Sequence, residues 1–239
     1  MLRSLAGLNA VITGGVSSLS AVIARRLAAE GVNICLNGLP MDADAAVALC
    51  ATLAANHNVS TTFVLADASA PDSCAKIIQH AVDVLGGVDI IIANTGCTKF
   101  EAWDDLDAFS EDEWLQSFKI NTLSPLWLFK AAAPLWKAAY ESDKTTGVIV
   151  STNSLAGLTS MGSIMPQSVT EAGQLRIIEG IAYNNGPWAR ANAVCPGHII
   201  TPWSMRYGED KINAMVENTP LKKPVDLEVS SPKWFLHVD

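Results

Sequence analysis

Short apolar runs alternate with longer amphipathic stretches along this chain, and that rhythm restricts the architectures open to it. "NAVITGG" (9–15) reads as a first strand. The following "LSAVIARRLAAEG" places Val22, Ile23, Ala24, Leu27 and Ala28 along one side of a helix that stops at Gly31. "VNICLNG", "STTFVLAD", "VDIIIANTG", "TTGVIVSTNS" and "ARANAVCPG" supply five more runs with helical pattern between them. "VDIIIANTG" contains a continuous apolar run from Ile90 to Ala93, as expected of a strand covered on both faces. Strands and helices in alternation build a parallel sheet with helices on both sides, a doubly wound α/β fold. Residues 110–142 are long enough for one extended helix, with Pro125 and Pro134 as places where it bends. No repeat or linker interrupts the pattern, so residues 1–239 read as a single domain.

Composition narrows the partners. A formal charge of -8, without long charge runs, argues against a surface built for nucleic acid or anionic lipid. Cys35, Cys50, Cys74, Cys97 and Cys195 are scattered, with no C-x-x-C pair and no zinc-ligand spacing, which predicts reduced thiols and no metal. The N-terminus imitates a short signal peptide but runs straight into the first strand, and no apolar run approaches the ~18 residues of a membrane span. The expectation is a cytoplasmic protein that acts on a small molecule, away from membranes.

In a doubly wound sheet, ligands sit at the carboxyl ends of the strands, so the residues just after each apolar run carry the chemistry. Here those residues are "TGGVSSLS", "LAD", "ANTG", "STNSLAG" and "NAVCPGHIITP", with "KINT" in the long helix. In order and spacing the series resembles the short-chain dehydrogenases/reductases over roughly residues 7–239. That resemblance implies a Rossmann-type single domain, a homodimer or homotetramer formed through the long helices after strands four and five, and an NAD(P) site. It also implies an Asn, Ser, Tyr, Lys tetrad, in which tyrosine moves the proton and lysine lowers its pKa.

Carried over position by position, Asn121 matches the asparagine and Ser154 the serine. The tyrosine falls on Gln167 and the lysine on Glu171. An amide cannot exchange a proton near neutral pH, and Glu171 reverses the charge that would stabilise a phenolate. A carboxyl in a partly apolar pocket can instead have a raised pKa and act as acid or base, whereas a solvated helix residue is the plainer reading. Asn121 could simply hold a helix kink and Ser154 cap local backbone. His198 follows "CPG" on the side where the resemblance places the nicotinamide, as a candidate catalytic group or, more plainly, a neutral loop histidine.

The phosphate loop departs too. Gly14 is kept, but Ser18 and Ser20 stand where two glycines belong, which weakens the case for NAD(H) or NADP(H) while leaving room for one, since a serine at a helix N-terminus can bond phosphate. Gly38 occupies the place where an NAD-preferring member carries Asp, and no arginine follows for a 2′-phosphate. Asp67, Asn94, Gly96, Pro196, Gly197, Ile199 and Thr201 match the adenine, ribose and carboxamide contacts. Trp203, Met205 and Tyr207 fall where the resemblance places the substrate lid, and there they suit either a flat apolar substrate or the packing of the lid itself. Trp103, Trp114, Trp127 and Trp136 read as helix or dimer packing. The family's last strand has no counterpart in "TPLKKPVDLEVSSPKWFLHVD".

Together the departures predict an enzyme that keeps the pocket but not the hydride chemistry: a cyclase, isomerase or dehydratase on a small, largely apolar molecule of specialised metabolism. One alternative is an NAD(P)H-dependent reductase with a different proton donor. The other is a non-catalytic binding or regulatory protein.

Overall fold

The computed structural model describes residues 4–16, 18–99, 101, 103–160, 162–225 and 227. Six strands form one parallel sheet in the order β3-β2-β1-β4-β5-β6: β1 Asn9–Ile12, β2 Asn33–Gly38, β3 Thr61–Leu65, β4 Ile90–Ala93, β5 Gly147–Thr152 and β6 Ala189–Val194. The strand order reverses between β1 and β4, which opens a crevice at their carboxyl ends. Helices α1 Ser18–Ala29, α2 Ala43–His57, α3 Pro71–Leu85, α4 Glu111–Ser117, α5 Ser124–Asp143, α6 Met165–Asn185 and α7 Glu209–Glu217 accompany the sheet, with shorter helical turns between them. The doubly wound α/β expectation holds. The final-strand expectation concerns residues that lie mostly outside the described ones.

Two apolar layers sandwich the sheet because its strand residues alternate sides. Ala10, Ile12, Ile34 and Leu36 pack toward α1 and α2, while Val11, Cys35 and Ile91 pack toward α3 and α5. Ile90, Ile91 and Ile92 are fully buried, as the continuous run predicted. Trp136 belongs to this core and not to an exposed face: its indole donates to the Val88 carbonyl (2.7 Å) and its ring covers Gly147, where a side chain would have no room. Among the described residues, no helix is long and apolar enough to cross a membrane.

The expected long helix is present from Glu111 to Asp143 with one interruption, a π-helical turn at Phe118–Leu123 just before Pro125. An inserted turn of this kind rotates the residues it carries out of the regular helical register. It begins from a capping box in which Ser110 accepts from the Glu113 amide (3.4 Å) and Glu113 accepts from the Ser110 amide (2.9 Å). Lys99 pairs with the same Glu113 and ties the segment after β4 to this helix start. Ser110→Ala should lower stability by about 1 kcal/mol in urea denaturation. No change in midpoint would mean that the cap contributes nothing.

Candidate active site

The crevice is assembled by the segments that follow β1, β4, β5 and β6, with the π turn and α6 closing one side. Asn121 sits in the π turn and is 1 % exposed. Its side chain accepts from the Cys97 amide (2.8 Å) and donates to the Cys97 carbonyl (2.9 Å) and to Thr170 Oγ1 (3.0 Å). The side chain is therefore committed to joining the segment after β4 to α6.

The spacing of "QSVTEAGQ" places Gln167, Thr170, Glu171 and Gln174 on one buried face of α6. Gln174 is the hub. Its amide oxygen accepts from Ser151 Oγ (2.5 Å) and Asn153 Nδ2 (2.8 Å), and its nitrogen donates to the Asn121 carbonyl (2.5 Å). Asn153 also donates to the Glu171 carbonyl (2.9 Å). Thr170 donates to the Pro166 carbonyl (2.8 Å), and its own carbonyl accepts from Thr122 (2.8 Å). Gln174, Asn153, Ser151 and Thr170 were not singled out from sequence. The available signal was a polar residue recurring at helical spacing from Gln167, on a helix whose neighbours are apolar.

Glu171 is 8 % exposed, and its Oε2 has no hydrogen-bond partner among the described residues. Burial raises its pKa to about 8, so the carboxyl is mostly protonated at neutral pH. Its charge contributes to raising the Cys97 and Cys195 thiols, which are raised chiefly by burial. The carboxyl thus lies within electrostatic reach of the segments after β4 and β6. The plainer reading, a solvated residue, is excluded by this burial.

Ser154 Oγ accepts from the Ala156 amide (3.1 Å) and caps the short turn Leu155–Gly157. Gln167 acts as a brace: its amide oxygen accepts from the Ser163 amide (2.8 Å) and the Ser163 hydroxyl (2.7 Å). Ser163 is fully buried and also bonds Thr98 and Tyr207. It draws the segment after β4, the lead into α6 and the Ser204–Tyr207 turn to one point. Trp103, expected in helix or dimer packing, instead donates to the Gly162 carbonyl beside it (3.1 Å). Trp203 and Met205 are exposed, while Tyr207 is half-buried with its ring edge-on to His198 (centroids 5.7 Å apart). Burial lowers the His198 pKa, leaving the imidazole neutral at pH 7, and its buried Nε2 has no partner among the described residues.

On the phosphate-loop side, Gly14 takes φ +95°, and a Cβ there would come within 2.7 Å of Asn94 Nδ2. The Asn94 amide donates to Thr13 Oγ1 (3.1 Å), coupling the ends of β1 and β4. Ser18 opens α1. Ser20, expected among cofactor contacts, is fully buried and donates to the Gly15 carbonyl (2.8 Å), so it braces the loop from beneath. Asp67 is exposed after β3 and accepts from the Ser69 amide (2.9 Å). Gly96 lies near Asn121, its Cα positioned so that a Cβ would stand 3.7 Å from Oδ1. After β6, the Pro196 carbonyl accepts from Leu155 (3.1 Å), and Gly197 packs beside Leu155. Ile199 bridges Val225, and Thr201 Oγ1 accepts from the Ser204 amide (3.2 Å).

The short chain dehydrogenase family model matches residues 8–212. D-beta-hydroxybutyrate dehydrogenase of Cupriavidus necator is 29% identical over 218 residues, covering 91% of this chain and 80% of that protein. Trans-4-hydroxycyclohexanecarboxylate dehydrogenase of Sinomonas cyclohexanicum is 28% identical over 197 residues, covering 81% and 73%. The structure of a short chain dehydrogenase from Burkholderia cenocepacia in complex with NADP superposes with a TM-score of 0.86 at 23% identity, covering 99% of this chain and 92% of that one. These relatives carry dehydrogenase names, and they overturn the expectation of cyclase, isomerase or dehydratase chemistry. That expectation gave Gln167, Glu171 and the altered phosphate loop with Ser18 and Ser20 more weight than the rest of the motif series.

Proposed function

The chain belongs to the short-chain dehydrogenase family, and from that premise we propose that it is a nicotinamide-dependent oxidoreductase of a small, largely apolar carbonyl or alcohol. It is a divergent member in which Glu171 replaces the tyrosine as proton donor. A bound NAD(H) or NADP(H) supplies or accepts the hydride. The residues present fit such a group. Thr95 Oγ1, Glu171 Oε2 and His198 Nε2 are buried polar atoms without partners among the described residues, and they belong to the two segments after β4 and β6 and the helix between them in sequence. Buried polar atoms are normally paired, so three orphans around one crevice favour a polar ligand there.

The observation that carries the proton role is the buried, unpartnered Glu171 carboxyl, protonated at neutral pH. A carboxylic acid kept neutral by its surroundings can donate a hydrogen bond and then a proton to an oxygen that becomes negative. No acceptor for the Ser154 hydroxyl proton is found among the described residues, so that hydroxyl is available to polarise the same substrate oxygen. Asn121, Gln167 and Gln174 position the site through the bonds described above. Trp203, Met205 and Tyr207 cover the substrate. Self-association through α5 and α6 belongs to the same proposal, and beside α5 an outer groove of about 400 Å³ is lined by Trp127, Lys130, Lys137 and Trp188.

The test is titration with NADH and NADPH followed by a screen of small ketones. We expect micromolar binding of at least one dinucleotide and its oxidation by a ketone, with kcat reduced about 10²–10⁴-fold in Glu171→Gln. Reduction should be fastest below about pH 8, where the acid is protonated, and fall above it. Failure of both dinucleotides to bind would sink the proposal, while normal turnover by Glu171→Gln would move the proton donor elsewhere.

A further inference from the structure

Ser163 is fully buried just before α6, and the direction of the hydrogen bonds that meet on it follows from their chemistry. Its backbone amide can only donate, so the Gln167 atom 2.8 Å away must be the side-chain oxygen and not the nitrogen. That oxygen can only accept, so Ser163 gives Gln167 its single hydroxyl proton as well (2.7 Å). The Ser163 oxygen is then left as an acceptor, and the Tyr207 hydroxyl is the donor in the bond between those two residues. Gly162 makes the close approach possible. It has φ +129°, and a Cβ there would stand 2.9 Å from Gln167 Oε1 and 2.9 Å from the Ala156 Cβ. At the far end of this chain of bonds lies the turn Ser204–Tyr207, in which Met205 and Arg206 are exposed. Bonds within the turn are local: the Thr201 amide donates to Ser204 Oγ (2.9 Å), the Met205 amide to the Thr201 carbonyl (3.0 Å) and the Gly208 amide to the Met205 carbonyl (3.1 Å). Tyr207 instead reaches the body of the fold, with its hydroxyl on Ser163 and its ring edge-on to His198.

We propose that Gln167 is a positioning residue that latches this turn over the crevice, acting through Ser163 on the Tyr207 hydroxyl. What the turn covers rests on the oxidoreductase reading above, whereas the latch is a property of the free protein. Position 167 aligns with the family's tyrosine, so a place given elsewhere to proton transfer here holds the turn. Glu171, one helical turn further along the same buried face of α6, is left for the chemistry. Removing either the acceptor at 167 or the hydroxyl at 207 leaves the turn its internal bonds but not this link, so it opens more often while the helix beneath stays folded.

Amide hydrogen exchange on the full chain, without ligand, tests this, with the Met205 and Gly208 amides reporting the turn. Gln167→Met should speed exchange at both by about fivefold, although they belong to a different segment. Tyr207→Phe should do the same. The double variant should exchange no faster than the faster single one, since both substitutions break one linkage. Gln174→Leu weakens the same helix without touching Ser163 and should leave the turn amides at their native rate. Native rates in Gln167→Met, effects that multiply in the double variant, or equal acceleration by Gln174→Leu would each overturn the latch. Should Gln167→Met not fold, Gln167→Asn, which withdraws the amide by one methylene, is read against the same outcomes. With a ketone that turns over, Gln167→Met should raise KM without the kcat loss expected of Glu171→Gln; a kcat loss of that size would place Gln167 in the chemical step instead. Absence of dinucleotide binding defeats the oxidoreductase reading and leaves the exchange result standing, so the two failures are distinguishable.

Discussion

Replacing Glu171 with glutamine should stabilise this protein at pH 8 and above while removing its activity. The folded-state pKa is raised from 4.5 to about 8 by burial. Between those values the folded chain holds a proton that the unfolded chain has released, so native stability falls as pH rises through that window. Below pH 4.5 both states are protonated and above about pH 8 both are ionised, so the contribution is full at the acid end and lost at the alkaline end. The difference is on the order of 5 kcal/mol, or roughly 10–20 °C in Tm for a chain of this size. A glutamine of the same shape is neutral throughout and should flatten the decline. Urea denaturation of both proteins at pH 5, 6.5, 8 and 9 measures this. Parallel curves would show that the carboxyl is ionised or solvated in the folded state, and the proton-donor role would fail with it.

Gln174→Leu should be the most damaging substitution on α6 outside its apolar contacts. It keeps roughly the volume but removes one acceptor shared by Ser151 and Asn153 and the donor to the Asn121 carbonyl, all within a region that excludes water. Buried groups left without partners each cost about 1–3 kcal/mol, so a total loss of roughly 3 kcal/mol is expected. Because the same bonds hold Asn121 and Asn153, the residue before Ser154, the variant should also raise KM and lower kcat at temperatures where it remains folded. Arg176→Ala, two residues along and exposed, breaks a surface ion pair with Glu179 and should change little. Equal stabilities for the two variants would mean that the polar seam of α6 is dispensable.

The sequence pattern locates the six strands and the alternation of helices between them, because each element is set by local periodicity and by glycine, proline and capping residues at its ends, but not the π turn that interrupts the long helix. The resemblance, not the periodicity, singles out Asn121, Ser154, Gln167, Glu171 and His198 as candidates, and the π turn, α6 and the segments after β5 and β6 carry them. What those residues do there was less legible. Gln167 and Ser20 look like altered ligand contacts when aligned by position, yet each proves to be engaged with backbone or serine nearby. Ser163 sits in an unremarkable loop until Thr98, Gln167 and Tyr207 converge on it from distant parts of the chain.

By itself, then, the sequence determined a doubly wound parallel sheet and the loops that border its ligand crevice, because apolar periodicity and turn chemistry act over a few neighbouring residues. Only the tertiary structure decided the protonation of Glu171, which depends on how much water the packed elements around α6 exclude. It alone also decided that Ser163 joins Thr98, Gln167 and Tyr207, because only the packing of distant segments brings those residues to one point.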